Sequence, residues 1–424
     1  MVILHFLCYN IMWLSICNPN IKECDINMNY TRTEIGSNIG FTSVVDKKFN
    51  SCSLQLMMIV PMGENASDNS VAVNCISDAN SKLNSIAAMN ERLSELYGAG
   101  FSSSSAIRGD MQVLSLSASW LCSRFAIDGE DITAEMTELI TDSLFSPFAD
   151  ENGFNESVFR LSKKEILDII DSRFNNKREY TLVKAREIAF EGEPIRYGGY
   201  GPREQVEAVT PKSAYEAYKK LLSTAQIEIC FVSPDADNRV QEVFREKFGA
   251  IERNSASHTF YSPSPIKPEP VVVQEEFDVR QAKMAMTFKF DTDDIDAVHL
   301  MCIIFGGSPV SKLFVNVREK LSLCYYCACS MSEYKKTITA DCGVERENIE
   351  KATAEIHNQL DEIRKGNITD EELQSAFLAL ENAYTSFGDT HSSYISWYTD
   401  CFFRNEYTSP DEYLERLTIN QLKE

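Results

Sequence analysis

The apolar residues of this 424-residue chain recur every second position in some segments and every third or fourth in others, which predicts alternating strands and helices. Residues 40–62 are largely apolar and predict a β-hairpin. Residues 101–106 and 111–120 alternate on either side of a turn at Gly109 and predict two more strands. A further buried strand is predicted at 227–232.

Helical spacing dominates the segments between these strands. A helix over 83–97 should end at Gly98, because glycine adopts the left-handed conformation that closes a helix. Helices are also predicted over 132–144 and from Glu156 into the 180s, and Thr210-Pro211 should begin another.

The second half repeats the element order of the first. Four prolines between residues 261 and 270 exclude helix and internal strand, so this segment is predicted to be a linker. Beyond it we predict a strand over 271–290, a helix from Ile295, strands over 324–331 and 334–344, and helices from Glu347 and Thr369. The fold class is therefore α+β. Two tandem homologous domains, 28–260 and 271–424, should each have a mainly antiparallel sheet with helices packed on one face, and should form a clam shell.

Charge and cysteine content narrow the partners and the compartment. Lys and Arg total 41 against 63 for Asp and Glu, a net charge of −22, which disfavours nucleic acid and anionic membranes and favours basic peptides. The thirteen cysteines are an odd number and are widely scattered, so a reducing cytoplasm is expected. Cys324, Cys327 and Cys329 lack a second pair at zinc-ribbon spacing and are interpreted as core residues.

The first 27 residues are expected to be a non-structural extension, with Met28 as the natural start. Most of residues 1–17 are apolar, so a signal peptide or membrane anchor is the alternative. No Lys or Arg precedes Lys22, which weakens both alternatives.

One segment of the second half resembles a known family. Residues 305–326, FGGSPVSKLFVNVREKLSLCYY, are similar to the C-terminal-domain signature of the insulinase/pitrilysin (inverzincin) zinc peptidases. Residues 278–284 resemble the strand that opens the second domain of that family. Residues 95–99, with Asn176-Lys177 and Tyr180, resemble its bacterial non-peptidase branch, which is associated with elongation factor P modification. The resemblance covers residues 28–424 and implies two peptidase-like domains. It also implies a last helix and strand beyond Glu424.

The zinc motif of the family is missing. Active members carry H-x-x-E-H on a first-domain helix, where two imidazoles one turn apart hold zinc. The motif should fall near residues 70–74, which read Ser-Val-Ala-Val-Asn, and the nearest two of the five histidines, His357 and His391, are 34 positions apart (391 − 357). The remote glutamate ligand should lie within 156–165. We therefore expect no metal, no cofactor and no catalytic residue.

The resemblance also suggests two binding residues. Arg318 and Tyr325 stand where active members have the Arg and Tyr that hold the substrate backbone. They are the candidate substrate-binding residues, although Arg318 could instead be a helix-terminal cation and Tyr325 a strand aromatic.

The predicted function is that of a catalytically inactive, cytoplasmic peptidase-like subunit. It should bind peptide or protein and pair with an active zinc-peptidase homologue as a heterodimer, or else with itself, without nucleic acid or membrane. Two alternatives are a purely structural assembly protein and an autonomous peptidase with an unconventional metal site. The missing histidine pair argues against the latter.

Overall fold

The computed structural model describes residues 29–254 and 258–416, so the predicted extension 1–27 and the C-terminal end of the chain lie outside the described residues. The elements of the first half are β1 (Asn29–Gly36), β2 (Ile39–Val45), β3 (Ser51–Pro61), α1 (Ala66–Asp78), α2 (Ile86–Glu95), β4 (Gly100–Arg108), β5 (Met111–Leu121), α3 (Ile132–Phe145), β6 (Ala149–Asp150), β7 (Gly153–Phe154), α4 (Glu156–Ser172), α5 (Lys177–Ala189), α6 (Arg203–Ala208), α7 (Pro211–Thr224), β8 (Gln226–Ser233) and α8 (Asn238–Gly249). Those of the second half are β9 (Ala282–Lys289), α9 (Ile295–Cys302), β10 (Cys324–Ser332), β11 (Thr337–Val344), α10 (Ile349–Arg364), α11 (Asp370–Thr385), α12 (His391–Arg404) and α13 (Pro410–Arg416). Two π-helical segments, Ile303–Gly307 and Leu313–Lys320, precede β10.

The first sheet has the strand order β1-β2-β8-β3-β5-β4. All pairs are antiparallel except β2 with β8. The predicted hairpin over 40–62 is wrong, because β8 lies between β2 and β3 and pairs with both. The apolar run of β8 has buried residues on both faces, which suits it to this central position.

This sheet is covered on both faces. On one face, Leu54, Leu56 and Met58 of β3 belong to a large core shared with α1, α3, α7 and α8. On the other face, Cys230 and Val232 of β8 pack against residues of α12, a helix of the second half. The two covers explain why residues 56–60 of β3 and 229–232 of β8 are continuously apolar instead of alternating.

The second sheet has three antiparallel strands in the order β10-β11-β9. The strand predicted from Val271 begins only at Ala282, since residues 282–289 are those that pair with β11. Residues 271–281 have no helix or strand. Helix α5 of the first half contacts this sheet, and Arg178 forms a 2.6 Å ion pair with the buried Asp341 on β11.

Several helix ends were correctly predicted from capping residues in the sequence. The capping box at Thr369 and Glu372 is confirmed, as is the Thr210 cap of α7. Gly98 has a φ of +73°, which confirms the predicted left-handed stop after α2. The single helix predicted from Glu156 into the 180s is wrong: α4 ends at Ser172, and Asn176 caps a new helix, α5.

The predicted α+β class, with mainly antiparallel sheets and packed helices, is confirmed. Over residues 29–254 and 258–416, none of the helices has both the length and the apolar character that crossing a membrane requires.

Candidate functional site

The residues at which the family's metal ligands are expected lie close together in the structure. Those on α1 have neutral side chains. Ser70 and Asn74 lie one turn apart on α1, and Asn74 faces Glu165 on α4. The Asn74 amide nitrogen donates to Glu165 Oε2 over 3.1 Å and to the Ser162 carbonyl over 3.0 Å. Its carbonyl oxygen accepts from Ser103 Oγ at 2.7 Å. Glu165 falls within the segment expected for the remote glutamate ligand, and its hydrogen-bond partner here is the Asn74 amide.

Ser70 is part of a second, buried hydrogen-bond network. Its hydroxyl lies 2.9 Å from the Ala66 carbonyl and 3.1 Å from the Gly199 carbonyl. Gln112, which is fully buried on β5, donates its amide hydrogens to the same two carbonyls and to Ser70. Ser105 joins them from β4. Every participant is uncharged, so the network fixes the loop around Gly199 without offering an anionic metal ligand.

The glycine-rich turn at 198–201 closes over this network. A Cβ at Gly199 would lie 2.5 Å from the Ser105 carbonyl group, and one at Gly201 would lie 2.5 Å from Ser67 Oγ. Gly198 and Gly201 also have positive φ values of +80° and +76°. Glycine is required here by close approach and by conformation.

Asp78 extends the polar face of α1 by one more turn. Burial raises the pKa of Asp78 from 3.8 to about 6, although a hydrogen bond from Ser162 opposes the shift and the charge of Glu165 adds to it. Within the described ranges, no three His, Cys, Asp or Glu side chains are arranged to hold a metal ion. Ser70, Asn74 and Asp78 thus form a neutral to weakly acidic face where active members have imidazoles.

Tyr325 and Arg318 lie in the second half, at the start of β10. The register of β10 with β11 passes from Cys324 to Tyr326, so Tyr325 is the extra residue of a β-bulge. Its side chain is 55% exposed, and its hydroxyl donates to Glu345 over 2.5 Å. A bulge re-aims a side chain relative to the strand, which here turns Tyr325 outward.

Arg318 lies on the π-helical segment that leads into this strand. It is exposed, and its guanidinium lies 4.4 Å from the ring centre of Phe314. The pKa of the Cys324 thiol is lowered first by a hydrogen bond from Cys327 and further by the charge of Arg318. Arg318 therefore lies close to the residue that precedes Tyr325.

The cysteine cluster belongs to the core of the second half. Cys324 and Cys327 are buried together with Cys342 of β11. The sulfur of Cys329 lies 3.1 Å from that of Cys302 on α9. These contacts support the interpretation of the three β10 cysteines as strand and core residues.

Two features of the site were missed by sequence reasoning. Gln112 is a polar residue on the strand face that otherwise carries Leu114, Leu116, Ala118 and Trp120, and that break in the alternation was a usable signal. The contact of Asn74 with Ser103 and Glu165 carried no sequence signal, because the three residues lie on separate elements.

Comparison with known proteins finds similarity to the family that the sequence resembles. A model of the Peptidase M16 inactive domain matches residues 208–380. The "Probable inactive metalloprotease YmfF" of Bacillus subtilis strain 168 is 23% identical over 377 residues, which cover 86% of this chain and 87% of the relative.

Three solved structures share the fold. A conserved protein from Enterococcus faecalis V583 has a TM-score of 0.82 at 20% identity, over 93% of this chain and 95% of that one. A peptidase M16 inactive domain from Pseudomonas fluorescens has a TM-score of 0.73 at 18% identity, over 94% of both chains. The periplasmic protease PqqL of Escherichia coli has a TM-score of 0.63 at 14% identity, and the match covers 98% of this chain but 47% of PqqL.

The matched domain and the curated relative are both described as inactive. Residues 70–74, near which the zinc motif is expected, read Ser-Val-Ala-Val-Asn and contain no histidine or glutamate. The chain is therefore similar to M16 peptidase-like proteins that are described as inactive, and it shares their fold.

Proposed function

We propose that this chain is a subunit that pairs with an active zinc-peptidase homologue and helps to bind its peptide substrate. The observation that carries the proposal is the position of Tyr325 on a bulge of β10, since β10 is an edge strand of the second sheet as far as the described residues extend. An extended peptide binds to such an edge by adding a strand.

Arg318 and Tyr325 are the residues proposed to contact the peptide. A guanidinium offers a fixed fork of charged donors, and a phenol offers one hydroxyl. Neither requires a metal in its own chain, so both can act on a substrate whose scissile bond lies at the zinc of a partner. Exposure of the two side chains supports this role.

The length of PqqL supports an assembly of two such units. This chain matches 47% of PqqL, so that protease has room for two regions of this size in one polypeptide. In the proposed assembly, separate chains supply the two units, one with zinc and one with Arg318 and Tyr325. The net charge of −22 favours basic peptides as ligands.

Co-expression with a zinc-containing homologue from the same organism tests the pairing. We expect the two chains to elute together from a size-exclusion column at micromolar concentration. Tyr325→Phe is the matched variant and should elute in the same way, because it removes only a hydroxyl from an exposed side chain. Separate elution of the two wild-type chains would remove the basis of the proposal.

A further inference from the structure

Arg186 on α5 has a buried guanidinium nitrogen without a hydrogen-bond partner. Its Nε donates to the Arg196 carbonyl over 3.2 Å. Its Nη2 is enclosed and has no hydrogen-bond partner among the described residues. Leaving such a donor unpaired destabilises the folded protein, and the cost is larger for a charged group. This cost suggests that a ligand completes the site.

The charges around Arg186 leave it without a direct counter-ion. Burial, followed by the nearby charge of Arg173, lowers the pKa of Arg186 to about 10, and the charges of Glu187 and Glu179 partly oppose this shift. Glu187 is hydrogen-bonded to Lys184, and Glu179 lies 3.7 Å from Arg173. Neither carboxylate forms a hydrogen bond with Arg186, so among the described residues its guanidinium has no directly bonded counter-ion.

The two arginines lie beside the former metal position. Arg186 Nη2 contacts the turn at Gly198, where an added Cβ would be 2.9 Å away. The next residue, Gly199, accepts hydrogen bonds from the network of Ser70 and Gln112. The Arg173 guanidinium lies 5.8 Å from the ring centre of Tyr200. A single turn, 198–200, therefore contacts both the arginines and the network around Ser70.

We propose that Arg186 and Arg173 form an oxyanion-binding site beside the former zinc position, and that its ligand is a peptide carboxylate. The choice of a peptide as the source rests on the proposed function, whereas the oxyanion chemistry does not. A guanidinium presents paired donors that match the two oxygens of a carboxylate. Unlike zinc, it does not activate water, so the site holds a peptide without cleaving it.

Inorganic phosphate tests the oxyanion chemistry directly. Thermal melting is measured in millimolar phosphate and in chloride of equal ionic strength, which controls for screening. We expect phosphate to raise the Tm of the wild type above its value in chloride, and Arg186→Gln to abolish that difference. The control Arg160→Gln replaces an exposed arginine on α4, and this variant should keep the Tm difference between phosphate and chloride.

Two results would overturn the inference. The first is that phosphate raises the Tm of Arg186→Gln as much as that of the wild type. The second is that phosphate does not raise the Tm of the wild type at all. If Arg186→Gln does not fold, Arg186→Lys keeps the charge but loses the fork, and it should lose most of the phosphate effect.

A pair of peptides distinguishes the source of the oxyanion. One lysine-rich peptide is prepared with a free C-terminal carboxylate and with a C-terminal amide, and both are titrated calorimetrically. We expect the free acid to bind at least about tenfold more tightly, as one charge-assisted hydrogen bond provides, and Arg186→Gln to remove the preference. Equal binding of the two peptides would refute the carboxylate as ligand while peptide binding stands. Phosphate binding without any peptide binding would keep the oxyanion site and refute the proposed function.

Discussion

Asn74 on α1 and Glu165 on α4 are joined by a hydrogen bond of 3.1 Å between Nδ2 and Oε2. In an active relative, the corresponding helix turn carries an imidazole and the second helix a ligand glutamate. Here the Asn74 amide donates a hydrogen bond to the Glu165 carboxylate, and no metal is needed to hold the carboxylate in place. This hydrogen bond joins α1 to α4 at the position where the resemblance places the metal ligands.

The purified protein should contain no stoichiometric zinc and should cleave no peptide alone. The reason is that Ser70, Val73 and Asn74 supply neither imidazole nor carboxylate. Elemental analysis of protein purified without chelator measures this. About one zinc per chain, lost together with peptidase activity when residues 70–78 are changed, would contradict the prediction.

Asp78→Asn should make the protein more stable at neutral pH. The pKa of Asp78 is raised from 3.8 in the unfolded chain to about 6 in the folded protein. Between these values the folded state binds more protons, so this group's contribution to stability falls as pH rises through the window and stays low above it. The difference in unfolding free energy between variant and wild type should grow from near zero below pH ~4 to about 2 kcal/mol above pH ~7.

Urea unfolding across that pH range measures the difference. Asp128→Asn is the control. Because Asp128 is exposed, the difference in unfolding free energy between this variant and the wild type should not change with pH. A flat difference for Asp78→Asn as well would show that the carboxyl group is not desolvated.

Lys335→Met should destabilise the contact between the two halves. Lys335 is 3% exposed and lies 2.7 Å from Asp110 and 2.8 Å from Glu193, both in the first half. Removing the cation leaves two carboxylates near each other without their counter-ion, which should lower the free energy of unfolding by about 2–3 kcal/mol. The loss is limited to this range because Asp110 and Glu193 are only partly buried.

The neighbouring Lys336 provides a matched control. It pairs at 2.6 Å with Asp293, whose side chain is 99% exposed, so Lys336→Met should cost less than about 0.5 kcal/mol. Both variants are compared by denaturant midpoint. Equal losses for the two lysines would refute the role of Lys335 in joining the halves.

Arg318→Ala or Tyr325→Phe should slow peptide turnover by the reconstituted heterodimer. A donor aimed at a developing oxyanion is typically worth about 10²–10³ in rate. Both side chains are exposed, so melting temperature and co-elution with the partner should not change. Turnover and a melting curve are measured on the same samples. Unchanged turnover would reduce both residues to scaffold, and a loss that follows unfolding would support a structural role.

The sequence by itself determined the elements that depend on neighbouring residues. The Thr369 capping box, the left-handed Gly98 and the strands at 101–106 and 111–120 were predictable, because the atoms that decide them are a few residues apart. The motif that contains Arg318 and Tyr325 was also recognisable from the sequence alone. The absence of a histidine pair already excluded the zinc chemistry of the family.

The tertiary structure decided what depends on partners distant in the chain. β3 could not be assigned a neighbour from its own pattern, because an apolar run fits any central position, and β8 joins it from more than a hundred residues away. The strand predicted from Val271 begins only at Ala282, because among the described residues β11 pairs with 282–289 and no strand pairs with 271–281. Likewise, the orphaned nitrogen of Arg186 and the contact of Asn74 with Glu165 exist only once α1, α4, α5 and the turn at Gly198 are packed together. Local preference sets helix and strand, whereas burial and pairing across the fold set register, neighbours and site.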